Sequence, residues 1–157
     1  MKTEQSYRKI FSTHCDNCRE HICFLDEASM EYVEVDGEAK SDLAIVHTGC
    51  CSTDDTRPHY DDLVTTDLKW FVDNDGLFRL IALIEKAANE GNADRIKNIC
   101  EIIKRLHQPG YESARDFFEV YGNVLGRRDE FGGVTHENIT EALKALAAFE
   151  EHALFEE

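Results

Sequence analysis

Residues 15–18 (CDNC) and residues 47–50 (HTGC) carry the strongest chemical signal in this chain, and 28 residues separate them. Two cysteines spaced in this way can bind one ion, because the tight turn between them points both sulfurs to the same side. Structural Zn²⁺ takes four nitrogen or sulfur ligands in a tetrahedron, and the two stretches supply four such side chains. The sequence therefore predicts a zinc site formed by Cys15, Cys18, His47 and Cys50.

The residues between the two pairs predict a β-hairpin that brings the pairs together. Residues 30–35 (MEYVEV) alternate between apolar and acidic side chains, which is typical of a half-buried strand. Asp36-Gly37 is a turn signal, and residues 43–46 (LAIV) are typical of a second, more buried strand. This layout resembles a zinc ribbon over residues 12–52, and the resemblance implies three thiolate ligands and one imidazole.

The N-terminal part offers more ligand side chains than one zinc ion needs. The second pair is H-x-x-C instead of C-x-x-C, and Cys51 directly follows Cys50. The fourth ligand therefore stays open, and the side chains within reach of that position are His47, Cys51, Cys23, His14 and His21. The alternatives to a metal site are a cluster of reduced, partly buried thiols and a redox switch.

The zinc site is predicted to be structural, and the protein non-enzymatic. A catalytic zinc keeps an open coordination position, about three protein ligands and a nearby general base. The sequence lacks the H-x-E and P-C-x-x-C combination of zinc deaminases, and it lacks H-E-x-x-H. Four ligands close the shell, so we expect the ion to stabilise a hairpin too small to have its own core.

The change of composition at residues 52–62, which include Pro58, indicates a domain boundary. We therefore predict a zinc-ribbon-like module over residues 1–58 and a helical domain over residues 59–157. The predicted fold class is α+β, mostly α, with an N-terminal zinc-ribbon-like β-hairpin and a C-terminal antiparallel helical bundle.

Apolar residues recur with helical spacing in four segments of the C-terminal part. The segments are 77–89, 93–106, one through Phe117 and Leu125 that Ser113 is expected to cap, and one from Thr135 through Phe155. Gly91 is predicted to end the first of these helices and Asn92 to cap the second. Short connections favour antiparallel packing of the helices.

The chain is strongly acidic. It has 157 residues with 32 Asp and Glu against 17 Lys and Arg, a net charge of −15 at pH 7 that is spread along its length. This balance argues against a general nucleic-acid binder, which needs a basic surface to displace phosphate counterions. It also disfavours binding to anionic membranes. We therefore expect a protein partner with a basic surface, such as a nucleoprotein complex.

In size and charge the chain resembles small acidic phage-encoded inhibitors. That resemblance implies a nucleic-acid mimic that occupies the basic groove of a host defence complex. Three other roles are open: a zinc-ribbon transcriptional regulator, an adaptor subunit of a larger assembly, and a zinc- or thiol-dependent enzyme. A regulator would need a basic face near the first cysteine pair, for which the available side chains are Lys2, Arg8, Lys9 and Arg19.

The expected location is the cytoplasm. Residues 1–13 lack the apolar run of a signal peptide. The longest apolar stretches, such as residues 80–84 (LIALI), fall far short of the ~20 residues that span a bilayer. Cytosolic thiols stay reduced, so clustered cysteines there more often hold a metal than form disulfides.

Overall fold

A computed structural model describes residues 10–49, 51, 62–121 and 134–153 of the chain. Two compact units divide the chain, Met1–His107 and Gln108–Glu157. The class is α+β, as predicted, with two small antiparallel sheets and five α-helices among the described residues. In these ranges, no helix combines the length and the apolar character that crossing a membrane requires.

The first unit begins with strands and ends with helices. The strands are β1 (Ile10–His14), β2 (His21–Phe24), β3 (Ala28–Val35), β4 (Glu38–Ala39), β5 (Ala44–His47) and β6 (Leu63–Asp67). The helices are α1 (Lys69–Val72), α2 (Gly76–Asn89) and α3 (Ala93–His107). One sheet contains β1 and β2, and the other contains β4, β3, β5 and β6.

The predicted strand 30–35 is confirmed as part of β3, and the predicted strand 43–46 is confirmed in β5 except for Leu43, which lies just before it. The two strands pair antiparallel, with Met30 opposite Ile45, and both of these side chains are fully buried. Asp36 and Gly37 have φ values of 53° and 79°, the left-handed backbone that two-residue hairpin turns require. This turn leads into the short strand β4, which pairs with the end of β3 before the chain reaches β5.

A third partner of β3 comes from beyond the predicted boundary. β6 pairs antiparallel with β3, from Ser29 opposite Asp67 to Val33 opposite Leu63. The expectation that the chain after residue 58 is helical is therefore wrong at β6, where β-branched residues fit a pleated surface. The predicted boundary itself lies outside the described residues, and it does not coincide with the division after His107.

The core of the first unit joins the sheet to α2 and α3. One cluster of buried apolar side chains includes Met30, Ile45, Leu80, Ile99 and Ile102. The predicted junction between the two helices is confirmed: Gly91 has φ 67° after α2, and Asn92 Oδ1 accepts the Arg95 N–H at 3.0 Å. These caps fix where α3 begins, and therefore which of its side chains meet the sheet.

Polar side chains of α3 bind the chain just before β5. The Leu43 N–H donates to Asn98 Oδ1 at 2.9 Å, and Asn98 Nδ2 donates to the Leu43 carbonyl at 3.2 Å. The buried Arg95 donates to the Ser41 carbonyl at 2.6 Å, and its guanidinium lies 4.6 Å from the centre of the Tyr32 ring. Because buried polar groups need partners, these contacts fix α3 against this edge of the sheet.

The second unit contains α4 (Tyr111–Tyr121) and α5 (His136–Ala153), which pack on each other through buried apolar side chains. Thr135 caps α5 as predicted, because its Oγ1 accepts the Asn138 N–H at 3.2 Å while its own N–H donates to Asn138 Oδ1 at 3.0 Å. The predicted cap at Ser113 is wrong: α4 already begins at Tyr111, so Ser113 lies inside its first turn. The described helices fall into both units, and their assembly in one antiparallel bundle stays a prediction.

Candidate metal centre

The first cysteine pair lies in the loop of the β1–β2 hairpin. His14 pairs with His21, and the Cys15 N–H donates to the Glu20 carbonyl at 2.9 Å, so residues 15–20 form the tip. The Arg19 N–H donates to the Cys15 carbonyl at 2.9 Å, and Arg19 has φ 68°. This tight turn folds the chain back after Cys18.

The second group of ligands follows β5. His47 is the last residue of that strand. The Thr48 N–H donates to the Glu27 carbonyl at 2.8 Å, and Gly49 has φ 81°, a conformation that residues with a side chain rarely adopt. The strand therefore places His47, and the turn after it brings Cys51 back to the same place.

Cys15, Cys18, His47 and Cys51 converge, with one ligand atom from each lying within 4.8 Å of all the others. Cys18 Sγ lies 3.5 Å from His47 Nδ1. A tetrahedral zinc ion with Zn–S bonds of about 2.3 Å places its ligand atoms about 3.8 Å apart. The cluster therefore fits such an ion after a small contraction. Cys15 is buried and Cys18 exposed, so one side of the site faces the core and the other faces solvent.

The structure brings together three of the four predicted ligands, Cys15, Cys18 and His47. Cys50 lies outside the described residues, so its role as a ligand stays a prediction. The fourth member of the observed cluster is Cys51, one of the side chains that the sequence left open for the remaining position.

The other candidate ligands lie on the β1–β2 hairpin and do not belong to this cluster. The rings of His14 and His21 meet edge to face, with centres 5.1 Å apart. His21 Nδ1 lies 3.4 Å from Cys23 Sγ. Of the basic residues considered for DNA contact, Arg19 is exposed on the hairpin tip, and the other three lie outside the described residues.

The Cys15 sulfur is prepared for metal binding at neutral pH. Burial raises the pKa of this thiol, but hydrogen bonds from the backbone of Cys18, His47 and Asn17, and from the His47 side chain, outweigh burial. Together they lower the pKa from 9.0 to about 7. Since the thiolate is the form that binds metals, this lowered pKa reduces the cost of deprotonation on binding.

The lowered pKa predicts how the stability of the metal-free protein depends on pH. The stabilisation from the Cys15 thiolate is fully present above the unfolded pKa of 9.0 and is lost as the pH falls through about 7. Thermal unfolding in the presence of a chelator should therefore shift to higher temperature as the pH rises across this range. Cys15→Ser should lose the part of the pH dependence that comes from the Cys15 thiolate. An unchanged pH dependence in the variant would contradict the lowered pKa of this thiol.

Two residues of this site, Asp16 and Arg105, carry no metal-ligand signal in the sequence. Asp16 lies between the two cysteines, and its backbone N–H donates to the Ile45 carbonyl at 2.7 Å. Its Oδ2 accepts the Ile45 N–H at 2.7 Å, so Asp16 pairs with β5 much as a strand would. Arg105 from α3 donates to both carboxylate oxygens at 2.9 Å. Residues 15–20, the candidate metal-binding loop, are thus attached to both the sheet and a helix.

Comparisons with family models, curated proteins and solved structures found no match to this chain.

Proposed function

We propose that the protein is a non-enzymatic, zinc-stabilised interaction protein. The observation that carries this proposal is the convergence of three thiols and one imidazole from two distant segments within 4.8 Å. Tetrahedral sites of sulfur and nitrogen ligands are typical of zinc. Four protein ligands leave no open coordination position for a substrate, which favours a structural over a catalytic ion.

The ion would join two parts of the fold that belong to different sheets. Cys15 and Cys18 lie on the β1–β2 hairpin, and His47 ends β5 in the other sheet. An ion held by both parts binds the folded chain and not the unfolded one, because such a site does not exist before folding, so its binding free energy stabilises the native arrangement. Its proposed role is therefore to contribute free energy of folding to the first unit.

Native mass spectrometry of the purified protein tests the zinc site directly. We expect a mass increase that corresponds to one zinc ion per chain and that disappears when the protein is denatured in acid. Protein that is produced and refolded with excess zinc, yet carries no ion, would contradict the proposal.

We further propose that the protein contacts its partner through the outer face of α2, formed by Leu77, Phe78 and Ile81 together with Trp70 of α1. These side chains are exposed, Phe78 at 70%. The opposite face of α2 is buried through Leu80 and Ala87, so the helix is apolar on both sides. A solvated helix face is normally polar, which supports a role of this outer face in binding.

The charge of the chain supports a basic partner. The net charge is −15, which opposes association of two copies and attracts a positive surface. Asp73 and Asp75 lie just before the outer face of α2, but Arg79 pairs with both, at 2.7 and 3.8 Å, so the attraction to a positive surface comes from the charge of the chain as a whole. A more specific version of this proposal is that the protein is a nucleic-acid mimic that inhibits a basic nucleoprotein complex. That version rests on the size and the acidic amino-acid composition of the chain.

A panel of basic nucleic-acid-binding proteins and nucleoprotein complexes tests the partner proposal. We expect binding that weakens with salt, and an affinity reduced about 10-fold or more by Phe78→Ala, as for an anchor residue at an interface. Phe149→Ala, at an exposed phenylalanine of α5, is the matched control. No binding across the panel would contradict the mimic, and equal effects of the two variants would contradict a contact through α2.

A further inference from the structure

Arg105 binds the metal-binding loop on both sides of Cys15. Its Nη1 donates to both carboxylate oxygens of Asp16, the residue after Cys15, at 2.9 Å. Its Nη2 donates to the carbonyl of His14, the residue before Cys15, at 2.9 Å. A fourth contact, from Nη2 to Thr13 Oγ1, is longer at 3.4 Å. One guanidinium group from α3 therefore holds the backbone that carries a ligand.

Because this contact is buried, a substitution of either partner should have a large effect. Only 3% of the Arg105 side chain is exposed, against 24% of the Asp16 side chain. A buried ion pair of this kind need not add much net stability, but removal of one partner leaves the other charge unpaired. Arginine suits this position because its planar group donates in several fixed directions, which a lysine ammonium cannot reproduce.

We infer that Arg105 is a positioning residue of the metal centre, which couples zinc binding to the docking of α3; this inference rests on the zinc site proposed above. Through Asp16 and the His14 carbonyl, Arg105 holds Cys15 where its sulfur meets Cys18 and His47. Without this contact the loop keeps its bonds to Ile45 but loses those to α3, so more of its ordering must occur when the ion binds, and that loss of conformational freedom weakens binding. By linkage, the bound ion stabilises the contact of α3 with the loop by the same free energy.

Zinc affinity, measured by competition with a chromophoric chelator, tests this coupling in the full chain. We expect Arg105→Lys and Asp16→Asn each to weaken zinc binding about 10-fold, the lower end of the effect of groups that bond metal ligands directly, because both act through the neighbours of Cys15. Asp16→Asn keeps the size of the side chain and an acceptor for the Ile45 N–H, so it serves if Arg105→Lys does not fold. Because the two residues share one contact while each makes others, the double variant should lose less affinity than the product of the two single effects.

Arg95→Lys is the matched control, since Arg95 is a buried arginine of the same helix that donates to Ser41, away from the cluster. It should lower stability and leave zinc affinity unchanged. Equal weakening in Arg95→Lys and Arg105→Lys, or wild-type affinity in both Arg105→Lys and Asp16→Asn, would overturn the coupling while the zinc site stands. A wild-type protein that binds no zinc would instead refute the proposed function, and the coupling with it.

Discussion

Replacing Cys15 by serine is expected to abolish zinc binding and to remove the stabilisation that the ion provides. A serine hydroxyl is neutral at physiological pH and a poor substitute for a thiolate ligand. At free zinc of about 1,000 times the dissociation constant, linkage gives an ion-dependent stabilisation of about 4 kcal/mol. Denaturant unfolding with zinc and with a chelator measures this difference, which should be large for the wild type and close to zero for Cys15→Ser.

Cys100→Ser is the control for this experiment, because Cys100 is a half-buried thiol of α3 outside the cluster. It should keep both the ion and the zinc-dependent stabilisation. The adjacent pair adds a sharper comparison: because Cys51 belongs to the observed cluster, Cys51→Ser should lose the ion. Loss of the ion in Cys50→Ser, with the ion kept in Cys51→Ser, would instead make Cys50 the fourth ligand, as the spacing of the motif predicts.

Leu80→Ala and Leu77→Ala should differ strongly in their cost, although they make the same change in the same helix. Leu80 is fully buried, whereas Leu77 lies on the outer face of α2 and is 37% exposed. Removing the buried side chain loses its transfer free energy and leaves a cavity, which typically costs about 2–5 kcal/mol. The exposed substitution should cost less than about 1 kcal/mol, because much of that side chain already contacts water.

Urea unfolding of the two variants, analysed with the wild-type m-value, measures the comparison. Similar large losses would mean that another part of the folded chain covers the outer face of α2 in solution. In that case the proposal that this face contacts a partner would fall, while the zinc site would be unaffected.

The features that are predictable from the sequence depend on residues close together in the chain. The residues that produce each of these features lie within a few positions of one another. The features are the C-x-x-C pair at Cys15 and Cys18, the Asp36-Gly37 turn, and the caps at Asn92 and Thr135. Helical periodicity located α2, α3 and α5 for the same reason. Each of these features follows from local geometry, and the structure confirms the turn and both caps.

The features that were missed depend on partners distant in the chain. β6 is five residues long, and its LVTTD sequence is ambiguous until β3 lies beside it. The contact between Asp16 and Arg105 spans 89 positions. An acidic residue between two cysteines and an arginine near the end of an amphipathic helix are each ordinary surface features, so only the tertiary fold shows that they meet.

Backbone groups on the side of β5 that faces away from β3 already have hydrogen-bond partners within the molecule, and this has a consequence for solubility. An exposed edge strand can recruit a strand of another molecule and start aggregation. Three backbone N–H groups face outward here, from Leu43 just before β5 and from Ile45 and His47 within it. The first two donate to the side chains of Asn98 and Asp16, and the His47 N–H donates to the Cys15 sulfur. Two of these three partners belong to the candidate metal-binding loop, so the loop that carries Cys15 and Cys18 also occupies the groups through which a strand of another molecule would pair at this edge.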